Sequence, residues 1–256
     1  MIEPAVQAYI DRGRHTVPGW FERVDALLLA AVDRSQRAAD VTGDLLEMGA
    51  YMGRSAILLG YFRQRGESLV VCDPFDDEEG LSDDNAAEQT RWYGGLTRQA
   101  FERNFLRFHS RLPDEIIAAP SATLRAREDE FAKRFRMIHI DGSHEFDEVQ
   151  RDIRLSRDLI AEGGIVVFDD VNAPHAPGVA AAVWSAVVNE GLIPHVVTDK
   201  LYASWSLTPP LDLSLLSDGW EIQPHSIAGS TVVHPEPIRS IKRQAGHWVR
   251  QLSFRR

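Results

Sequence analysis

Apolar positions along this chain fall into two periods, and their alternation predicts an α/β fold. Short apolar runs at 44–48, 68–72, 137–140 and 165–168 are bounded by Gly or Asp. Such continuous runs suit parallel strands buried on both faces. Stretches of helical period separate them, at 55–65, 97–108, 122–135 and 145–162, with a further strand at 115–118. In the last of these helices Phe146, Val149, Ile153, Leu155, Leu159 and Ile160 share a face, and Gly163-Gly164 is the expected stop. Right-handed strand–helix–strand crossovers bring the carboxyl ends of the strands to one rim, where open α/β sheets bind ligands. A helix over 179–190 leads to β-rich segments at 193–198 and 201–207. These are joined as a hairpin at Asp199-Lys200, so the sheet ends on an antiparallel strand.

Two extensions flank this domain of residues 41–208. The first, 1–40, carries a helix over 20–39 with Trp20, Val24, Leu27, Leu28 and Ala31 on one face. The second, 209–256, reads as irregular up to Pro237. Beyond it Ile238, Ile241, Ala245, Trp248 and Leu252 recur at helical spacing among Arg239, Lys242, Arg243 and Arg250. That amphipathic basic helix suits a membrane surface or a partner chain as well as its own core, with folding back onto the core the favoured expectation, and apolar helices at both ends predict a homodimer or larger homo-oligomer. The acidic stretch 76–90, with Trp92 and Tyr93 just beyond, has the composition of an insertion. It predicts a lid over 76–96.

Composition narrows the class. A chain of 256 residues, 44% hydrophobic, suits one domain with embellishments. No apolar run approaches the ~20 residues of a membrane span, and the first residues lack the apolar core of a secretory signal. Cys72 is the only cysteine, so an internal disulfide is impossible and a cytoplasmic location is expected. A net charge of −10 argues against nucleic acid as a partner.

The candidate chemistry gathers on the carboxyl rim. Asp141-Gly142-Ser143-His144 ends one buried strand and Asp169-Asp170 ends the next. Three carboxylates converging there would repel one another unless a cation neutralised them. Oxygen ligands without a thiolate favour Mg²⁺, Ca²⁺ or Mn²⁺ over zinc. The first strand is followed by Glu47-x-Gly49-x-x-x-Gly53-x-Ser55, which departs from the Gly-x-Gly-x-x-Gly dinucleotide fingerprint. An acid at that strand end repels phosphate and suits an ammonium or sulfonium group, while Asp73, ending the next strand, suits the hydroxyls of a ribose. Together they point to S-adenosylmethionine; Glu47 and the missing third glycine disfavour a nicotinamide cofactor.

These motifs, with Val71-Cys72-Asp73-Pro74-Phe75, resemble those of class I S-adenosylmethionine-dependent methyltransferases. Within that class the chain is most similar, over roughly 43–207, to the divalent-metal-dependent sugar O-methyltransferases of macrocin and mycinamicin type. The resemblance implies a Rossmann-like seven-stranded sheet. It implies Mg²⁺ (or Mn²⁺) on Asp141, Asp169 and Asp170, with His144 as general base. It also implies a cofactor site of Glu47, Gly49, Tyr51, Gly53, Ser55, Asp73, Ser121 and Asp141. Some relatives carry an aspartate base two residues after the metal ligand, where this chain has Ser143, which leaves the role to His144. The implied acceptor is a sugar hydroxyl, in a natural-product glycoside or a methylated mannose or rhamnose polysaccharide. His175, His109, Trp92 and Tyr93 are candidates to touch it. A phenol acceptor would call for a lysine base, and Lys133 and Lys200 lie outside the motifs. A cofactor-binding subunit without catalysis is a third reading, against which the retained ligand set and base argue.

Overall fold

The computed structural model describes residues 2–76 and 95–238. Its strands are β1 (Asp44–Met48), β2 (Leu69–Cys72), β3 (Glu115–Ile117), β4 (Phe135–Ile140), β5 (Ile160–Phe168), β6 (Ile193–Val197), β7 (Leu201–Ser204), β8 (Trp220–Ile227) and β9 (Ser230–Pro237). They form one sheet in the order β3-β2-β1-β4-β5-β7-β6-β9-β8. Strands β1 to β5 run parallel, and β7 inserts antiparallel between β5 and β6. This is the expected Rossmann-like α/β architecture with nine strands instead of seven. The added pair is the β8–β9 hairpin, in a stretch whose sequence reads as irregular. Its turn, Ala228-Gly229, has positive φ at both residues (49° and 79°), the geometry that matches the twist of flanking strands.

Alternate strand residues face opposite layers. Leu45, Leu69, Val71, Met137, Ile165 and Val167 pack under α1 (Pro4–Asp11), α2 (Arg23–Ala38), α3 (Arg54–Phe62) and α4 (Arg98–Leu106). Leu46, Val70, Cys72, Ile138, Val166 and Phe168 pack under α5 (Glu128–Phe131), α6 (Phe146–Leu159) and α7 (Pro177–Asn189). Leu27, Leu28 and Ala31 of α2 are buried in this core, so its apolar face is consumed within the chain, while Trp20 stands outside that face, 68% exposed.

The elements differ from the sequence pattern where backbone geometry intervenes. Helix α6 stops at Leu159, and β5 runs through Gly163-Gly164 across a register irregularity with β4, Gly163 taking φ 73°. Instead of one helix over 122–135 there is a 3-10 turn at Ser121–Arg127, then α5, then Lys133 at φ 55°. The left-handed residue lets β4 begin at Phe135, earlier than its apolar run suggests. Most of the expected lid (77–94, with Trp92 and Tyr93) and the basic helix from 239 on lie outside the described residues.

At the amino end of the sheet, Arg136 is fully buried. Its guanidinium donates to Glu67 Oε1 (2.9 Å), Gln36 Oε1 (2.8 Å), Asp33 Oδ1 (2.9 Å) and the Phe62 carbonyl (2.9 Å). A planar five-donor cation suits such a site, because its charge is paired and its protons have acceptors. The cluster ties α2 and α3 to β4 at the end of the sheet opposite the candidate chemistry.

Candidate active site

Backbone bonds carry the ladder one residue past the strand ends and fix the rim. Asp73 N–H donates to Ile117 O (3.1 Å), Gly49 to Cys72 (2.8 Å), Asp141 to Met48 (2.8 Å) and Asp169 to Ile140 (2.9 Å). Asp73, Gly49, Asp141 and Asp169 therefore stand in one row. The approach is tight at its centre. A Cβ on Gly49 (φ 81°) would lie 1.8 Å from the Asp141 carbonyl oxygen, so only glycine fits there. Gly53 (φ 95°) precedes α3 and turns the chain into it. Between them Tyr51 takes φ 46°, with its ring stacked on Trp20 at 5.7 Å.

On the cofactor side the predicted residues divide. Asp73 is buried and accepts from the backbone N–H of Ala50 (2.6 Å), Tyr51 (2.9 Å) and Phe75 (2.6 Å). A carboxylate offers about four acceptor sites, so three N–H bonds leave room for a ligand hydroxyl. Burial pushes its pKa up, against those N–H donors. Glu47 is fully buried and accepts from Ser55 Oγ, and it faces His139 Nδ1 at 3.1 Å across the β1–β4 pair. Glu47 and Ser55, both buried, thus brace the glycine turn from beneath. Glu47 Oε2 is an orphan, without a hydrogen-bond partner among the described residues. Ser121 donates to Asp152 Oδ1 (2.8 Å) beyond β3, and burial raises Asp152 to about 7. The turn, Asp73 with spare acceptor capacity and the Ser121–Asp152 pair fit a phosphate-free nucleoside ligand.

The three rim acids turn to two different partners. Asp141 and Asp169 share a hydrogen bond, and Asp169 pairs with the Lys200 ammonium. Burial and the neighbouring Asp169 charge raise Asp141 well above the usual carboxylate range. Burial also works against Asp169, but the Lys200 charge prevails and lowers it. Asp170 faces the other way, with Oδ2 2.9 Å from His144 Nε2 and Oδ1 3.9 Å from His175 Nε2. Among the described residues, the group whose ligand atoms lie within 4.8 Å of one another is His144, Asp170 and His175. The expected set of Asp141, Asp169 and Asp170 is thus not gathered round one point. As folded it does not fit a divalent cation, because a lysine ammonium holds the inner pair and the third acid serves two imidazoles.

Two further expectations change. Lys200 lies outside the sequence motifs yet stands in the acidic pocket, because the β6–β7 turn returns to the rim beside β5. It is no candidate base: burial favours the neutral amine, but Asp169, Asp141 and Asp25 outweigh it and hold the ammonium. Lys133 donates to the Arg157 carbonyl at an exposed site near the start of β4, away from the rim. His109 is wedged against Tyr61 and Phe105 with Nε2 2.9 Å from the Ile57 carbonyl, so it is a packing residue. His175 does reach the site, edge-on to His144 at 5.3 Å.

Residues 46–171, just under half of the chain, match a family model described as a methyltransferase domain. No curated protein matches. Among solved structures, the O-methyltransferase NovP is similar at 17% identity over 72% of this chain and 80% of that one (TM-score 0.52). Podospora anserina methyltransferase PaMTH1, solved with S-adenosylhomocysteine, is similar at 15% over 80% and 89% (TM-score 0.51). The O-methyltransferase TomG of Streptomyces achromogenes, solved with S-adenosylmethionine, is similar at 15% over 80% and 91% (TM-score 0.50). At such identities the likeness establishes the fold. The domain match marks residues 46–171 as similar to a methyltransferase domain.

Proposed function

We propose that this chain is an S-adenosylmethionine-dependent methyltransferase that methylates a hydroxyl oxygen of a sugar, in a small glycoside or a mannose- or rhamnose-containing oligosaccharide, with His144 as general base. The observation that carries the reading is the His144–Asp170 pair at the rim. An aliphatic hydroxyl is a poor nucleophile at neutral pH, so transfer needs a group that removes its proton as the new bond forms. His144 Nε2 lies 2.9 Å from Asp170 Oδ2, so the carboxylate orients the imidazole that accepts the hydroxyl proton. Asp170 then stabilises the imidazolium, the role of an acid behind a histidine base. His175 shares the same carboxylate from the far side.

The Gly49–Gly53 turn, Asp73 and Ser121 are the residues that would hold S-adenosylmethionine. Bound there, the cofactor supplies a methyl group on a sulfonium leaving group. The Gly49 approach presses that turn against the Asp141–Gly142 backbone, so the cofactor wall and the acceptor wall share one support. Mg²⁺ on Asp141, Asp169 and Asp170 is left out of this scheme because the donor set does not fit it. Among the described residues no helix is long and apolar enough to cross a membrane. We place the enzyme in the cytoplasm, where the single buried Cys72 stays reduced.

The phenol alternative is weaker, since the only lysine at the rim among the described residues is held as a cation. His144→Gln should bind S-adenosylmethionine like the wild type by calorimetry while kcat falls about 10²- to 10⁴-fold. A kcat within about threefold of wild type would place the base elsewhere.

A further inference from the structure

We propose that Lys200 is the resident cation of the acidic pocket, standing in for the divalent ion that its carboxylates would otherwise hold. Three separate parts of the chain build the lysine site. The ends of β4 and β5 supply Asp141 and Asp169, with Asp169 ion-paired to the ammonium. Helix α2 supplies Asp25, fully buried, and the segment before it supplies Phe21, whose ring centre lies 5.5 Å from Lys200 Nζ. The β6–β7 turn supplies the lysine and its anchor. Thr198 Oγ1 accepts from the Lys200 N–H (3.0 Å) and donates to Asp25 Oδ1 (2.6 Å). Tyr202 donates to the same Asp25 oxygen (3.0 Å).

That arrangement is specific for an internal ammonium. Lys200 is 3% exposed, so an incoming hydrated dication meets protein rather than an open ligand set. To take Asp169 it would have to expel the ammonium from between Asp169, Asp25 and Phe21. The buried Asp25 carboxylate, held by Thr198 and Tyr202, adds its charge to the attraction on the ammonium and so opposes the exchange. Asp169 Oδ1 also accepts from the Asp170 N–H (2.7 Å), which fixes the orientation of the carboxylate toward the ammonium. The N-terminal extension therefore does more than cover the core: Phe21 and Asp25 complete the lysine socket. Lys200 is a positioning residue, holding Asp141 and Asp169 in register with the glycine turn.

The inference rests on the rim geometry and only loosely on the proposed acceptor, so the test reads metal directly. Mn²⁺ is titrated against metal-stripped wild type, Lys200→Ala and Lys200→Met, with free Mn²⁺ followed by electron paramagnetic resonance. Binding of S-adenosylhomocysteine by calorimetry checks that each protein is folded and that the methyltransferase reading stands. The wild type should show no micromolar Mn²⁺ site that depends on Asp169, and any ion held by His144, Asp170 and His175 should be unaffected by Asp169→Asn. Lys200→Ala, which leaves three acids and a vacated volume, should gain a site at least about a hundredfold tighter than any in the wild type. Lys200→Met, which fills the volume without charge, should gain a weaker one. A tight Mn²⁺ site in the wild type that a folded Asp169→Asn protein lacks would overturn the proposal, whether or not the Lys200 variants fold. So would a folded Lys200→Ala with no gain in Mn²⁺ affinity. Failure of the wild type to bind S-adenosylhomocysteine would instead strike the methyltransferase reading.

Discussion

Replacing Gly49 by alanine attacks the point where the cofactor turn and the acidic strand end touch. Gly49 has φ 81°, and an added Cβ would meet the Asp141 carbonyl oxygen at 1.8 Å, far inside any van der Waals contact. The left-handed backbone alone costs an L-residue roughly 1–2 kcal/mol. Forcing apart two close-packed backbones adds roughly 1–3 kcal/mol. A middle value of about 3 kcal/mol corresponds to a fall in Tm of about 6–12 °C for a domain of this size. Gly66→Ala is the control: Gly66 has a similar φ of 89° but nothing within 4 Å of the added methyl. It should lose only the left-handed share, about 1–2 kcal/mol. Differential scanning calorimetry gives both shifts, and titration with S-adenosylhomocysteine should show weakened binding for Gly49→Ala alone. Equal Tm values for the two variants, with unchanged ligand affinity, would refute the close approach on which the site description depends.

At the opposite end of the sheet, Arg136→Met should cost about 3–5 kcal/mol in urea unfolding, because Asp33 and Glu67 are left buried without their cation. A loss below about 1 kcal/mol would show that the cluster is solvated in solution. Asp152 has a folded pKa raised to about 7 by burial, above its unfolded value near 3.8. The folded state therefore holds this proton more tightly, and the associated stability is complete below about pH 4 and lost as pH rises through about 7. The loss is on the order of 4 kcal/mol, and Asp152→Asn should flatten that part of the stability–pH curve. An unchanged slope in the variant would assign the titration to another group.

Much of the fold was legible because its strands are short apolar runs closed by Gly or Asp. The first strand, 44–48, is reproduced residue for residue as β1. The β8–β9 hairpin was not legible: Pro224, Pro235 and Pro237 interrupt it, and its turn is Ala-Gly where Asn-Gly would be the strong signal. It survives because an edge hairpin has fewer ladder bonds to lose. In the site, the glycine turn, Asp73 and the His144–Asp170 neighbourhood were readable from strand ends. The cation was not. Lys200 sits in an unremarkable Asp-Lys turn, and only the insertion of β7 beside β5 brings that turn to Asp169. Asp25 was equally hidden, since a lone acid on an amphipathic helix reads as solvated; its burial follows from the lysine and Tyr202 it serves. Glu47 looked like a ligand for a cationic group, but its pairing with His139 in register across β1–β4 makes it a brace.

The central claim is methyl transfer from S-adenosylmethionine to an unactivated hydroxyl through His144. It is tested most directly by following an isotopically labelled methyl group, by mass spectrometry and NMR, into matched panels of glycosides and catechols. Wild-type enzyme should place the label on an aliphatic sugar oxygen, and His144→Gln should bind cofactor yet leave the sugars unlabelled. Label appearing on catechols alone, or on sugars at the wild-type rate in the variant, would contradict the account.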